Sequence, residues 1–252
     1  MPSGYDCWAE FYDSLYEAAF GHAYQALTRQ HLEMLQPLLG EAGHLLDVGA
    51  GTGRLSVPVA EQGHRVSAVE PSSGMLARLE AKARQVSVSQ RIRVFGCRMQ
   101  DVQAHHGVPT DHDAAICVFS TLHHFTDRQA LHGSMMRMCD SVRRGGCVLL
   151  GVHPPDVFEA FAAGRTQDVL LPQAGGMVRW MQCAQDTARA DGILDTRSEI
   201  ILPDGTRILD RLAIQPWTLD QVSAVAHELG LARVGEPCFI GSEHVQVFRK
   251  PH

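Results

Sequence analysis

Three groups in this chain are placed to do chemistry. The first is the loop Asp47-Val48-Gly49-Ala50-Gly51-Thr52-Gly53, where an acid precedes three glycines at alternate positions. Glycine opens backbone angles closed to other residues and lets a ligand lie directly against the main chain. The second is Glu70, which ends the apolar run Val66-Ser67-Ala68-Val69. It follows the loop by about 20 residues, the spacing at which a nucleotide-binding α/β unit carries its ribose acid. A carboxylate there accepts hydrogen bonds from both ribose hydroxyls. As a strand-end acid, Glu70 is expected to be removable with little change in folding. The third group is the pair His123 and His124, just past an apolar run. Imidazole titrates near neutrality, so both are candidate catalytic bases.

The glycine spacing separates two ligand classes. A dinucleotide fingerprint, G-x-G-x-x-G, would put its third glycine at position 54, where this chain has Arg54. The order acid-x-Gly-x-Gly-x-Gly instead resembles the first motif of class I S-adenosylmethionine-dependent methyltransferases of the small-molecule type. The resemblance covers residues 8–152 well and 176–249 in layout. It implies S-adenosyl-L-methionine as cofactor and S-adenosyl-L-homocysteine as product. It also implies that Gly49, Ala50 and Gly51 line the methionine part and that Asp47 helps place the amino group. Residues after the second acid flank the adenine in that family, which brings in Pro71 and Met75. Arg98 and Met99 fall where the family usually carries an acid for the adenine amino group. Arginine cannot accept a hydrogen bond, so backbone atoms there or the nearby Asp101 must do the reading. Phe119 and Ser120 fall beside the cofactor, and the family more often turns the later histidine, His124, toward the active site.

The run Trp8-Ala9-Glu10-Phe11-Tyr12-Asp13-Ser14-Leu15-Tyr16 resembles the aromatic segment that closes over the cofactor in these enzymes. By that resemblance Tyr12 is placed on the cofactor's carboxylate, and Tyr16 or Phe11 near the acceptor. The reaction implied is in-line displacement at a sulfonium methyl, in which alignment alone supplies about 7–11 kcal/mol. Two other classes share the glycine loop. A nicotinamide-dependent oxidoreductase has the wrong glycine spacing here and would need a Tyr-x-x-x-Lys pair, which is absent. A cofactor-binding protein without methyl transfer would keep the same residues.

The elements that must position these groups follow from periodicity. Residues 5–40 read as helical. Residues 44–152 carry five strand-like runs alternating with helical ones, which means a parallel sheet with helices on both faces. The third and fourth runs are 91–96 and 113–120, and a core helix spans 127–143. Residues 153–175 are mixed. Strands are expected at 177–183, 196–202 and 206–212, with a hairpin signal at Pro203-Asp204-Gly205. A helix capped by Thr218 follows, then strands at 231–236 and 243–249. The expected fold is α/β: a doubly wound, mostly parallel seven-stranded, Rossmann-like sheet with a small antiparallel β cap inserted. The parts are a helical lid (1–40), a cofactor-binding core (41–152), a substrate cap (153–215) and a completion of the core (216–252). His153, Arg179 and Trp180 in the cap, with Trp217 just after it, are candidate acceptor contacts, and arginine there suits a carboxylate or phosphate.

Composition narrows the partners to a small-molecule acceptor. The 252 residues carry a net charge of −6 with no block of five like charges, against the basic face a nucleic-acid groove needs. Seven cysteines lie scattered without a Cys-x-x-Cys pair. The adjacent pairs His105-His106 and His123-His124 point their side chains apart, so no metal is expected. Neither a signal peptide nor a spanning apolar run is visible, so no membrane partner and a cytoplasmic location are expected.

Overall fold

A computed structural model of the chain describes residues 4–102, 107–186 and 191–252; the His105-His106 pair lies outside them. A 3-10 turn, Gly4–Cys7, leads into helices α1 (Tyr12–Phe20) and α2 (His22–Leu39). Then come β1 (His44–Val48), α3 (Ser56–Glu61), β2 (Arg65–Val69), α4 (Ser73–Gln85), β3 (Ile92–Phe95) and β4 (His112–Cys117). Helix α5 (Arg128–Ser141) runs straight into β5 (Val142–Val152), and α6 (Pro155–Ala162) follows. Strands β6 (Arg165–Leu171), β7 (Gly176–Asp186), β8 (Leu194–Ile201) and β9 (Arg207–Ile214) come next. The chain then forms α7 (Leu219–Glu228), β10 (Ala232–Ile240) and β11 (Glu243–Arg249).

Seven strands make one sheet in the order β10-β11-β5-β4-β1-β2-β3. β1 pairs in parallel with β2 on one side and β4 on the other. The chain order therefore reverses at β1, and that reversal opens the crevice where α/β sheets take ligands. All five residues of β1 are buried, as a parallel strand covered on both faces requires. Helix α2 buries Tyr24, Leu27, His31, Leu35 and Leu39, an i, i+3/i+4 stripe laid against the sheet. β11 runs antiparallel between β5 and β10.

The other four strands form a separate antiparallel sheet, β6-β7-β8-β9. Its inner face, with Val169, Leu171, Val178, Trp180 and Ile200, packs on Trp8 and Leu15. Three of these strands answer to the sequence pattern. The stretch read as mixed, 153–175, instead holds α6 and β6. Pro155 opens α6, where the missing N–H would have been unsatisfied in any case. The fourth run also differs: β4 stops at Cys117, and Phe119 and Ser120 turn out of the strand at φ +56° and +71°. Among the described residues, no helix is long and apolar enough to cross a membrane.

Candidate active site

The glycine loop leaves β1 and passes under the 3-10 turn Thr121–His124. Gly49 stands at φ +72°, and a Cβ there would lie 2.4 Å from Thr121. That close approach, together with φ +55° at Gly51, is why these positions take glycine. Asp47 is buried and accepts a 2.6 Å hydrogen bond from Ser56 Oγ. Burial pushes its pKa up, against the pull of Ser56 and Arg54.

Glu70 is tied into the fold. Its Oε2 accepts from Gly51 N–H at 3.0 Å and its Oε1 from Ser72 N–H at 2.8 Å. It thus joins the glycine loop to the start of α4, where Ser72 caps the helix through Met75 N–H. Burial raises the Glu70 pKa more than those two bonds lower it, with Asp47 and Asp6 adding to the rise. A carboxylate has about four lone-pair sites, so acceptor capacity remains after two bonds.

These groups open on one cavity of about 670 Å³. Tyr12, Asp47, Gly49, Ala50, Gly51, Glu70, Pro71, Met75, Arg98, Met99 and Phe119 all line it; Ser120 does not. Tyr5, Tyr24, Arg54, Phe125 and Leu212 also form its wall, and sequence reasoning missed them. Arg54 is the residue that breaks the dinucleotide pattern. Its guanidinium lies 4.9 Å from the Phe119 ring centre and 5.8 Å from that of Tyr24, and Nη1 donates to Thr28 Oγ1 at 3.3 Å. The buried Tyr24 hydroxyl has no hydrogen-bond partner. Its place on the apolar stripe of α2 was the only signal for it, and that stripe reads as core.

The two histidines separate. His124 lines the cavity with Nε2 3.1 Å from the Tyr5 hydroxyl. Burial lowers its pKa to about 4, while burial raises that of Tyr5. The phenol therefore donates to a neutral imidazole. His123 lies off the cavity wall. Its Nδ1 is 2.8 Å from Gln215 O, and its Nε2 accepts from His153 N–H at 3.1 Å. Burial lowers this imidazole too, to about 4. Both its nitrogens face backbone atoms, so it braces β5 and the segment before α7 instead of serving as a base.

The expected acceptor contacts all lie off the cavity wall, for packing reasons. Trp180 is 1% exposed and donates to Ser198 Oγ at 2.9 Å. Arg179, one residue earlier on β7, faces the opposite side of its sheet. It pairs there with Asp168 at 2.8 and 3.0 Å. Trp217 is buried in the main core and donates to Phe125 O at 2.7 Å. His153 contacts Ser242 O at 3.2 Å. Tyr16 stands behind the cavity, its ring 5.5 Å from Phe119 and 5.4 Å from Trp180.

The N-terminal segment, from the 3-10 turn into α1, roofs the cavity and is anchored at three points. Asp6 accepts from Ser72 Oγ at 2.6 Å and Gly74 N–H at 2.8 Å. Trp8 Nε1 donates to Asp210 at 3.0 Å. Asp13 accepts from Thr52 Oγ1 at 2.6 Å and pairs with Lys82 at 2.7 Å. Among the described residues, no cluster of His, Cys, Asp and Glu is placed to hold a metal ion.

Residues 45–146 match the family model described as Methyltransferase domain. A putative methyltransferase of Geobacillus sp. (strain WCH70) is 28% identical over 151 residues, 59% of this chain and 57% of that protein. The tRNA 5-carboxymethoxyuridine methyltransferase of Escherichia coli (strain K12) is 30% identical over 103 residues, 40% of each chain. The chain thus spans about half the length of the curated relatives it matches. Among solved structures, the CcbJ methyltransferase from Streptomyces caelestis superposes with a TM-score of 0.77 at 19% identity, covering 100% of this chain and 99% of that one. CalS10, an amino pentose methyltransferase from Micromonospora echinaspora solved with S-adenosylmethionine, gives 0.71 at 16% identity, covering 94% and 95%. Residues 45–146 thus carry a methyltransferase domain, and the chain as a whole shares the Rossmann-like fold of these methyltransferases.

Proposed function

We propose that the whole chain transfers the methyl group of S-adenosyl-L-methionine to a small-molecule acceptor held beneath the N-terminal turn. One observation carries this reading. The glycine loop, the ribose acid and the neutral Tyr5–His124 pair share a single cavity of about 670 Å³.

The residues present fit the cofactor. Glu70 has acceptor capacity left for a ribose diol, and Met75 and Met99 supply apolar surface for a purine. Arg54 and the unpartnered Tyr24 hydroxyl match an α-carboxylate, and Asp47 matches an α-amino group. When bound, the cofactor supplies an electrophilic sulfonium methyl. The chain's own residues do the rest. Tyr12 and Phe119 help wall the site in aromatic surface and Tyr5 roofs it; an acceptor's proton would pass to the Tyr5 oxygen as the Tyr5 proton moves to His124 Nε2. A neutral imidazole suits that role, because it is already unprotonated at neutral pH.

The small acceptor is supported by the roof and by charge. Tyr5, from the N-terminal turn, and Leu212, from β9, both line the cavity, and a net charge of −6 disfavours a polyanion. The amino pentose named for CalS10 belongs to the same size class. All seven cysteines are free thiols, which suits the reducing cytoplasm.

Calorimetric titration with S-adenosylhomocysteine and with NAD tests the cofactor. Methyl transfer to a panel of amines, phenols, sugars and unmodified tRNA tests the acceptor. Binding of S-adenosylhomocysteine with transfer to a small acceptor is the expected result. Binding of NAD alone, or transfer to tRNA alone, would sink the proposal.

A further inference from the structure

The chain leaves β4 by an uncommon path. Phe119 and Ser120 both stand at positive φ, and neither is glycine. Consecutive left-handed residues with side chains persist only where the surroundings hold them. Here the holding group is a buried acid from the far end of the chain. Glu243, the first residue of β11, accepts the Phe119 N–H at 2.5 Å through Oε1. Its Oε2 lies 3.2 Å from His31 Nε2 on α2, and both side chains are fully buried. Neither of those two atoms has a hydrogen-bond partner elsewhere. On its other side, His31 Nδ1 lies 3.5 Å from Arg54 Nη1.

The slot for the carboxylate is built in. A Cβ at Gly151 would sit 2.4 Å from Glu243 Oε1. Burial pushes the Glu243 pKa up, but His31, His153 and the Phe119 N–H outweigh it and hold the group below its ordinary value. Glu243 is therefore a carboxylate, and the backbone it grips carries the Phe119 ring, which lines the cavity next to Arg54. A row of contacts runs from Arg54 through His31 to Glu243 and on to the Phe119 amide. Beyond Arg54, no member of that row has a role in methyl transfer as described.

We propose that Glu243, supported by His31, is a positioning residue that holds the Phe119–Ser120 turn and so fixes the Phe119 ring in the cofactor cavity. The proposal rests on the methyltransferase reading of that cavity. Glu243 itself lines no part of the cavity and acts through Phe119.

The test uses the full chain and S-adenosylhomocysteine as probe. Glu243→Ala should weaken its binding roughly ten-fold or more, the scale at which backbone strain is released. Glu243→Gln, whose amide oxygen still accepts from Phe119, should keep most of the affinity. Adding Ser120→Gly to Glu243→Ala should recover several-fold, because glycine takes positive φ without strain. A residue that only fills space would give neither the Gln rescue nor the Gly rescue. A second measurement covers a Glu243→Ala variant that fails to fold. The Phe119 amide proton should resonate far downfield in the wild type and move upfield in Glu243→Gln. Equal affinity in wild type and Glu243→Ala, or a Phe119 amide indifferent to Glu243→Gln, would overturn the proposal. If the wild type binds no S-adenosylhomocysteine, the methyltransferase reading fails, and the amide shift still decides whether Glu243 holds the turn.

Discussion

Glu70 stands where loop, helix and cavity meet, so its removal has two separate effects. Glu70→Ala should weaken S-adenosylhomocysteine binding by about 1–3 kcal/mol through lost charge-assisted hydrogen bonds. It should also lower the melting temperature, because the Gly51 and Ser72 N–H groups lose their acceptor. The reading of Glu70 as a strand-end acid missed that second effect, since no spacing rule shows what the backbone asks of a side chain. Calorimetry and thermal melting on the same preparation separate the two. His124→Asn should lower turnover by roughly 10²–10⁴-fold with little change in cofactor affinity. Burial holds His124 at about 4, so the acid limb of the rate profile should lie well below the usual imidazole range. A wild-type inflection near pH 6.5 that disappears in His124→Asn would contradict the described environment.

The N-terminal turn acts as one element, and its anchor to α4 is the part most open to test. Asp6→Ala removes the acceptor for Ser72 Oγ and Gly74 N–H, a capping contribution of about 1 kcal/mol. S-adenosylhomocysteine should then dissociate faster, and the segment before α1 should be cut sooner by a nonspecific protease. Stopped-flow release and limited proteolysis measure these outcomes. Elements differed in how plainly the sequence showed them. β1, β2 and the glycine loop were legible because apolar runs and glycines leave few alternatives. β6 was not, because Arg165-Thr166-Gln167-Asp168 is polar and its apolar residues crowd into the last three positions. Trp180 and Trp217 read as pocket residues in the sequence because an aromatic on a strand or before a helix looks the same whether it faces a ligand or a core. Tyr24 was hidden for the converse reason, being a cavity residue on a helix stripe that reads as packing.

At the scale of the whole molecule, buried imidazoles set the response to acid. His112, His123 and His124 are each lowered to about 4 by burial. Between the unfolded value near 6.5 and about 4, the unfolded chain binds more protons than the folded one. Stability is therefore full above pH 6.5, falls as the pH drops through that window, and levels off below it. Each group contributes on the order of 3 kcal/mol to that fall. Asp47 and Glu70, whose pKa values are raised, act in the opposite sense at the lower end. Melting curves from pH 7 to 4 should show a steady drop, and His112→Asn should flatten its slope. An unchanged melting temperature down to pH 5 would mean these histidines are hydrated.

The position of β11 bears on the order in which the protein can be made. It is the last strand in chain order, yet it lies inside the sheet between β5 and β10, and its first residue grips Phe119. Synthesis runs from the amino end, and a domain generally folds as a unit. The glycine loop and Glu70 leave the ribosome long before Glu243 does. The glycine loop is thus made well before the residue that grips Phe119 beside Arg54. If Glu243 holds Phe119 as proposed, the cavity wall is complete only once β11 has paired beside β5, and a chain ending before β11 should bind S-adenosylhomocysteine more weakly than the full chain.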